Sequence, residues 1–320
     1  MEREIKKVAL IGAGAVGCYF ISGLAEYLKD DFVVIANGQR GQRLKEKGVT
    51  INDKIYHFPV KEGKEAGAQD LVLIATKYQG LPDAIQELPN LVGADTMVIS
   101  LLNGVTSEEK IGQAIGIEHV LYANMRIASS RKEGVVYFNP EITAGMFFGE
   151  PGIKEPTKRA RAVIELFEKC NLGCHYQGDI LKNMWSKYAA NVSQNLPQAI
   201  LSVGHGAYID SEHVYFVANK LWKEVAAVAK CKGVELSEEI ELFFGVKYTS
   251  RYSTLQDLDA GRHTEIEMLA GNMMEMGEEC HVPTPYCEYT YHLIKALEEK
   301  NEGRFDYEGR DEIVPIRQGI

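Results

Sequence analysis

A lysine and two asparagines, spaced four residues apart, form the pattern in this sequence that is most suggestive of chemistry. Lys187, Asn191 and Asn195 fall on one face of the helix that the segment 185–195 predicts. Apolar residues on the other faces would dock that helix, so the polar row faces either solvent or a ligand. An ammonium group can donate a proton and carboxamides can orient a small polar molecule. A solvated helix edge would explain the same residues without any chemistry, and the rest of the chain decides between the two.

Length, composition and charge restrict the class of protein. The chain has 320 residues, of which 45% are hydrophobic, and this predicts a globular protein with two domains. Its formal net charge of −10 argues against nucleic acid or an anionic membrane as the main partner. None of the six cysteines forms a CxxC pair and the histidines show no metal-ligand spacing, so we expect reduced thiols, no metal and a cytoplasmic protein. We find no signal-peptide pattern and no membrane-spanning apolar run.

A glycine-rich turn near the start of the chain is typical of dinucleotide binding. The segment 7–17 reads as a buried strand that ends in this turn and opens into an apolar-periodic helix. The residues of the turn are Gly12, Ala13, Gly14, Ala15, Val16 and Gly17. The first glycine permits the tight turn, the second lets a pyrophosphate approach the backbone, and the third allows the helix to pack closely on the strand. The helix N-terminus would present free N–H groups to the phosphates, and the context predicts a Rossmann-type domain.

The end of the second predicted strand bears on the choice of cofactor. Proteins that bind NAD often have an Asp or Glu at this point, which holds the ribose 2′-hydroxyl, whereas this chain has Asn37. Arg40 and Arg43 follow within a few residues. Both could bind a 2′-phosphate, although they would also suit the solvated face of the next helix. The sequence therefore favours NADP(H) and leaves NAD(H) possible.

Two further polar residues follow strands of the same predicted sheet. Lys77 comes after the strand 70–75, and Asn103 comes after a strand that begins at Thr96. Open parallel sheets bind ligands at the carboxyl ends of their strands, so both residues are candidates for contacting the nicotinamide or the substrate. Asn103 precedes a glycine, and Asn-Gly is a common turn dipeptide that needs no ligand. Its location is what favours the functional interpretation.

The character of the sequence changes near residue 179. Short β segments between 119 and 148 would extend the sheet, and helical periodicity dominates afterwards. The expected helices are 181–201, 210–232, 237–255, 262–279 and 286–299. We predict an α/β protein with a Rossmann-type dinucleotide-binding domain over 1–178 and an all-helical substrate and catalytic domain over 179–320. Lys187 lies on the first helix after the crossover, which could form one wall of an interdomain cleft.

Together these motifs resemble those of the ketopantoate reductase (2-dehydropantoate 2-reductase) family over residues 7–299. The resemblance rests on GAGAVG, TKYQ at 76–79, LLNGV at 101–105, the W-x-K-x-x-x-N-x-x-x-N row and, most specifically, STLQDLDAGRHTEIE with a later VPTP. It implies a Rossmann domain joined to a helical domain resembling that of 6-phosphogluconate dehydrogenase. The implied activity is the reduction of ketopantoate by NADPH to D-pantoate, a step toward pantothenate and coenzyme A.

The resemblance also implies roles for individual residues. It makes Lys187 the general acid and Glu265 the residue that steadies the lysine and the substrate. The positions that hold the substrate's carboxylate and hydroxyl correspond to Asn191, Asn195 and Ser253, and those on the nicotinamide side of the cleft to Lys77 and Asn103. Many family members carry an arginine where this chain has Asn37, so the resemblance implies NADP(H) and leaves NAD(H) possible.

Three functions remain open from the sequence. Some members of the family reduce other branched or aromatic 2-keto acids, often with NADH, so a D-2-hydroxyacid dehydrogenase is the second possibility. A non-catalytic dinucleotide sensor is the third, although such a protein would not need the lysine, the asparagines, Ser253 and Glu265 at the family's spacing. We expect a homodimer that binds a small 2-keto acid and neither nucleic acid nor membrane.

Overall fold

In the computed structural model, residues 4–127, 129–132, 134–139, 143–243 and 245–309 are described, so most of the charged C-terminal segment 301–320 lies outside the described residues. The chain divides into two compact units. The first contains the described residues up to Ala189 together with Ala229–Leu236, and the second contains Ala190–Val228 and the described residues from Ser237 onward. Each is described by itself.

The first unit is built on β-strands. These are β1 (Val8–Ile11), β2 (Phe32–Ile35), β3 (Val49–Ile51), β4 (Lys54–Tyr56), β5 (Val60–Lys61), β6 (Gln69–Ile74), β7 (Val92–Ser100), β8 (Val120–Arg126), β9 (Ser129–Lys132), β10 (Val135–Phe138), β11 (Gly145–Gly149) and β12 (Cys174–Tyr176). Eight of them form a sheet in the order β12-β11-β8-β7-β6-β1-β2-β5. All neighbours in it are parallel except β8 and β11. The expected extension of the sheet is right for β8 and β11 and wrong for β10, which joins β3, β4 and β9 in a separate sheet.

Helices cover the large sheet because its central strands are apolar on both faces. The helices of this part of the chain are α1 (Ala15–Leu28), α2 (Gly38–Lys47), α3 (Gly63–Ala66), α4 (Leu81–Leu91), α5 (Ser107–Ile115), α6 (Lys158–Lys169) and α7 (Ile180–Ala190). In β1, Val8 and Leu10 belong to one buried cluster, and Ala9 and Ile11 belong to another. Such two-sided burial is typical of parallel strands between helical layers.

The remainder of the chain is helical. Its helices are α8 (Leu196–Leu201), α9 (Ala207–Asp210), α10 (Glu212–Cys231), α11 (Ser253–Asp259), α12 (Asn272–Cys280) and α13 (Pro285–Asn301). Two single π turns, Asn191–Asn195 and Glu267–Gly271, precede α8 and α12 and pack against each other. The prediction of a Rossmann-type unit followed by a helical unit is confirmed.

Two helix predictions were wrong in detail. The segment 181–201 is not one regular α-helix, because the π turn Asn191–Asn195 interrupts it. The predicted helix 237–255 does not form, and among its described residues only those from Ser253 onward are helical. Buried amide side chains bind the main chain of this segment: Gln194 Nε2 donates to the Glu241 carbonyl at 3.1 Å, and Gln194 Oε1 accepts from the Phe243 N–H at 3.2 Å. These tertiary bonds replace the local hydrogen bonds that a helix would make.

The expectation of six reduced thiols was also wrong. Cys231 and Cys280 are disulfide-bonded, whereas Cys18, Cys170, Cys174 and Cys287 are free. No local cysteine spacing in the sequence signals this. Within the described part of the chain, we find no helix with the length and apolar character needed to cross a bilayer.

Candidate functional site

The glycine turn follows β1 and leads directly into α1. Gly12 has φ +105°, and a Cβ at this position would lie 2.6 Å from the Ala75 carbonyl oxygen. A Cβ at Gly17 would lie 1.9 Å from the Gly12 carbonyl oxygen, so the turn closes on itself only with glycine there. At Gly14 the nearest atom to a Cβ would be 3.9 Å away, which leaves open space on that side of the loop. The turn thus has the tight bend, the close packing and the open approach that a pyrophosphate requires.

The surroundings of this turn fit a dinucleotide. The first turn of α1 carries no acidic residue, and its first N–H groups have no partners within the helix. Thr76, which follows β6, has a buried hydroxyl oxygen with no hydrogen-bond partner. Buried polar atoms are rarely left unpaired, so this hydroxyl fits a ligand atom at the carboxyl edge of the sheet. Lys77 is exposed at the same edge. Phosphate and nicotinamide contacts are therefore available from Gly12–Gly17, Thr76 and Lys77.

A carboxylate lies against Asn37 at the end of β2, which the sequence did not reveal. Asn37, at the N-terminus of α2, donates a 2.6 Å hydrogen bond from its side-chain amide to Oε1 of Glu87 on α4. The other oxygen of Glu87 accepts the Gly63 N–H at 3.1 Å. The sequence has no Asp or Glu at the end of β2, but Glu87 reaches Asn37 from an element fifty residues further along the chain. This carboxylate suits a ribose 2′-hydroxyl and opposes a 2′-phosphate.

Two arginines on α2 provide the opposite charge. Arg40 and Arg43 are exposed, and neither makes an ion pair with any acidic residue that the structure describes. Gly41 between them packs on the main chain of Ala36, at the end of β2, and so holds the start of the helix against the strand. Both guanidinium groups are thus available for a phosphate, and their positive charge opposes the effect of the Glu87 carboxylate beside Asn37.

Lys187 is held by two carbonyl oxygens. Its ammonium nitrogen donates to Oδ1 of Asn103 at 2.9 Å and to the Met125 main-chain oxygen at 2.7 Å. Asn103 follows β7 and Met125 belongs to β8, so the ends of two neighbouring strands fix the position of the lysine. The side chain is half-buried. This geometry does not fit a solvated helix edge, and it brings together two of the predicted site residues at the carboxyl edge of the sheet.

The helix α7 that carries Lys187 is docked by aromatic side chains. Trp185 and Tyr188 are 5% and 1% exposed, and their rings meet edge to face with centroids 5.9 Å apart. Asn183, one turn before the lysine, accepts a 2.8 Å hydrogen bond from the amide of Asn124 on β8. Both contacts restrict rotation of the helix, so the lysine is directed by packing as well as by its own bonds.

In the second unit, two predicted substrate residues lie together. Asn195 is buried and its amide points to the hydroxyl of Ser253 at 3.5 Å, although the two residues are 58 positions apart in the sequence. Ser253 is the first residue of α11, and Asn195 ends the π turn that begins at Asn191. Single π turns inside helices are frequently found at functional sites.

Glu265 follows Thr264, a residue that the buried carboxylate of Glu298 anchors through two hydrogen bonds. Its neighbour Thr264 donates from its N–H and its hydroxyl to Oε1 of Glu298 at 2.8 and 2.7 Å. Burial alone would raise the pKa of Glu298, but hydrogen bonds from Thr264, Lys295 and His263 outweigh it and hold that pKa below its usual value. Glu265 itself is half-buried and precedes the second π turn. The anchor fixes the main chain from which Glu265 projects.

Comparison with known proteins identifies the chain. The model of the family described as ketopantoate reductase PanE/ApbA matches residues 8–150, and that of its C-terminal part matches residues 179–298. The chain belongs to the ketopantoate reductase family. It is accordingly an oxidoreductase that depends on a dinucleotide, and the resemblance noted in the sequence is confirmed.

Individual relatives in this family are distant in sequence. The 2-dehydropantoate 2-reductase of Streptococcus pyogenes serotype M18 is 27% identical in an alignment of 304 positions that covers 91% of this chain and 97% of the relative. The fold is similar to that of D-mandelate dehydrogenase with NADH and anilino(oxo)acetate, with a TM-score of 0.78, 23% identity and coverage of 92% and 99%. It is also similar to that of the dimeric ketopantoate reductase from Staphylococcus aureus, with a TM-score of 0.73, 20% identity and the same coverage.

Some of the groups described above carry no signal in the sequence. Met125 acts through its main-chain oxygen, which any residue type would supply. Glu87 and Glu298 reach their partners only through the fold, from α4 and α13. A search of the described residues finds no group of three His, Cys, Asp or Glu that could hold a metal ion.

Proposed function

We propose that this ketopantoate reductase family member reduces ketopantoate to D-pantoate with NADPH, with Lys187 as the general acid. The observation that carries the proposal is that the Lys187 ammonium donates hydrogen bonds to Asn103 Oδ1 and to the Met125 main-chain oxygen. Both acceptors lie at the carboxyl edge of the sheet, where the glycine turn also lies. A lysine held in this way has lost the freedom of an exposed side chain and is ready to meet a ligand oxygen. Pantoate feeds pantothenate and coenzyme A synthesis, which is the pathway we propose for it.

Lys187 would stabilise and protonate the substrate oxygen. Bound NADPH supplies a hydride to the 2-keto carbon, and negative charge then develops on the carbonyl oxygen. The ammonium of Lys187 donates a hydrogen bond to that oxygen and transfers a proton to it as the alcohol forms. The Asn103 and Met125 oxygens keep the nitrogen in place during this transfer, because they accept from it without competing for its proton.

Asn191, Asn195 and Ser253 are our proposed substrate-binding residues in the helical unit. The Asn195 amide and the Ser253 hydroxyl already face each other, so a carboxylate or hydroxyl of the substrate would be shared between them. Glu265 is our second catalytic residue, and this assignment rests on the family resemblance. Its main chain is held by the anchor that Glu298 provides for Thr264.

We propose that the protein uses NADPH as its cofactor, with a modest preference over NADH. Gly12–Gly17 and Lys77 would hold the dinucleotide, and Arg40 would pair with the 2′-phosphate. Glu87, hydrogen-bonded to Asn37, counteracts that charge, so NADH should also support turnover.

The second candidate is an NADH-dependent D-2-hydroxyacid dehydrogenase. Glu87 beside Asn37 is the specific observation that favours it, since a carboxylate at this position suits the 2′-hydroxyl of NADH. The similar fold of D-mandelate dehydrogenase with NADH supports it as well. We further propose a homodimer, as for the Staphylococcus aureus relative, and its mass in solution would test this.

Steady-state kinetics separate these candidates. We would compare ketopantoate, phenylglyoxylate and 2-ketoisovalerate, each with NADPH and with NADH. The highest kcat/KM for ketopantoate with NADPH is the expected result. A clear preference for phenylglyoxylate with NADH would support the dehydrogenase instead. Cofactor binding without turnover of any 2-keto acid would leave only the dinucleotide sensor.

A further inference from the structure

A buried chain of polar groups lies behind the loop that carries Asn103. Ser100 ends β7, and Ser107 and Glu108 begin α5; all three are at most 2% exposed. Ser107 Oγ donates to Glu108 Oε2 at 3.0 Å, and the Ser100 and Ser107 hydroxyl oxygens are 2.7 Å apart. The Leu102 N–H donates to Ser100 Oγ at 3.4 Å. The chain of bonds therefore runs from the carboxyl group to the residue just before Asn103.

Burial of Glu108 is energetically unfavourable. Burial raises its pKa to about 8, against the opposing effects of backbone N–H groups and the Ser107 hydroxyl, so the carboxyl is mostly neutral at pH 7. Its Oε1 atom is buried and has no hydrogen-bond partner. An apolar side chain of similar size would avoid both costs. A half-satisfied polar group in a core calls for an explanation other than stability.

The position of Glu108 suggests that explanation. Helix α5 packs against both β7 and β8, and the main chain of Ala123 on β8 faces the carboxyl group. Two residues further along β8 is Met125, whose oxygen holds Lys187. The other partner of the lysine, Asn103, lies in the loop that the hydroxyl chain fastens. Glu108 is thus linked to the loop of Asn103 through Ser107 and Ser100 and faces β8, and these two elements supply the oxygens around the Lys187 ammonium.

We propose that Glu108 is a positioning residue for Lys187, acting through Ser107 and Ser100 on the loop of Asn103 and directly on β8. It touches neither substrate nor cofactor. The inference rests on the proposed role of Lys187 as general acid. It explains why a carboxyl group occupies a position in the core where an apolar side chain would avoid the free-energy cost of desolvation.

The experiment compares Glu108→Met and Glu108→Gln in the full-length chain, with Glu109→Met as the matched control. Glu109 is the exposed neighbour on the same helix. With the best 2-keto acid of the wild type, Glu108→Met should lower kcat about 10- to 100-fold and leave the KM for NADPH unchanged, because small displacements of a reacting group have effects of this size. Glu108→Gln keeps an acceptor for Ser107 and should retain most of the kcat, and Glu109→Met should retain all of it.

A double-mutant cycle tests whether the effect passes through the lysine. In a Lys187→Ala background, Glu108→Met should add no further loss of kcat. An equal loss in both backgrounds, or a normal kcat for Glu108→Met, would overturn the proposal. If Glu108→Met does not fold, Ser107→Ala replaces it in the same cycle, since it removes the hydroxyl that joins the carboxyl to Ser100 and leaves the core volume nearly intact.

A readout without turnover separates this proposal from the proposed function. The ¹⁵N ammonium signal of Lys187, identified by its loss in Lys187→Ala, should shift in Glu108→Met and in Ser107→Ala and stay in place in Glu109→Met. An unchanged signal in both core variants refutes the positioning role even if the enzyme reduces ketopantoate. A shifted signal in a protein that reduces no 2-keto acid would uphold the positioning role and refute the function.

Discussion

The two units of this molecule position their candidate residues by different means. In the first unit most of them stand at the ends of buried parallel strands, with the glycine turn after β1, Thr76 and Lys77 after β6, and Asn103 after β7, whereas Lys187 lies on helix α7. In the second unit they stand beside π turns and at a helix start, where side chains bind side-chain and main-chain groups of distant segments. Strand ends follow from local patterns, whereas the second arrangement follows from tertiary hydrogen bonds. The comparison predicts that substitutions of exposed residues near the site change the stability of the first unit little. The stability of the second unit should instead depend on a few buried polar residues.

The largest expected effect concerns Lys187. Lys187→Ala should lower kcat by about 10²- to 10⁴-fold, the usual contribution of a positioned general acid, with little change in NADPH affinity. Lys182→Ala, an exposed lysine on the same helix, is the matched control and should leave kcat unchanged. A folded Lys187→Ala enzyme with near-normal kcat would show that the hydrogen bonds of Lys187 to Asn103 and Met125 have only a structural role.

Loss of the Gln194 amide should test the dependence of the helical unit on buried polar groups. Gln194 is fully buried and satisfies the Glu241 carbonyl and the Phe243 N–H. Gln194→Leu should lower the free energy of unfolding by about 2 to 5 kcal/mol, because two main-chain groups lose their partner. Urea denaturation measures this, and cleavage between 237 and 252 by a protease should become faster. Gln79→Leu, an exposed change in the first unit, is the control.

Acid should weaken the anchor of Thr264. The pKa of Glu298 in the folded protein is held below its usual value by hydrogen bonds that outweigh burial, so its contribution to stability is present above the unfolded pKa and is lost as pH falls through the folded one. We expect Glu298→Gln to lower the free energy of unfolding by about 1 to 3 kcal/mol at pH 7 and to flatten its dependence on pH below about 4.5. Glu288→Gln, an exposed change on the same helix, should keep the wild-type slope.

The smallest effect is expected at the cofactor's ribose. Arg40→Ala should lower the ratio of kcat/KM for NADPH to that for NADH by about tenfold, the value of one exposed phosphate contact. Glu87→Gln should raise the same ratio, because it removes a negative charge from beside Asn37 while keeping a side chain that can bind the Asn37 amide. If neither variant changes the ratio, the 2′-position of the cofactor lies elsewhere.

How far the sequence predicts each unit follows from the range of the interactions. The strands and helices around the glycine turn were expected nearly at their observed bounds, since apolar runs and glycines act over a few residues. The helix expected at 237–255 has suitable periodicity but gives its main-chain groups to Gln194 and Gln198 instead. Periodicity reports which residues can be buried, and it does not report which partners they will find.

The sequence by itself determined the family, the order of the two units, the glycine turn and the polar row of Lys187, because these depend on residue types at short, regular spacing. Only the tertiary structure decided that Asn103 and Met125 hold the lysine, that Glu87 lies against Asn37, and that Glu298 anchors Thr264. Each of those contacts joins residues more than thirty positions apart. Their distances are set by the packing of whole elements, and no local pattern of side chains records that packing.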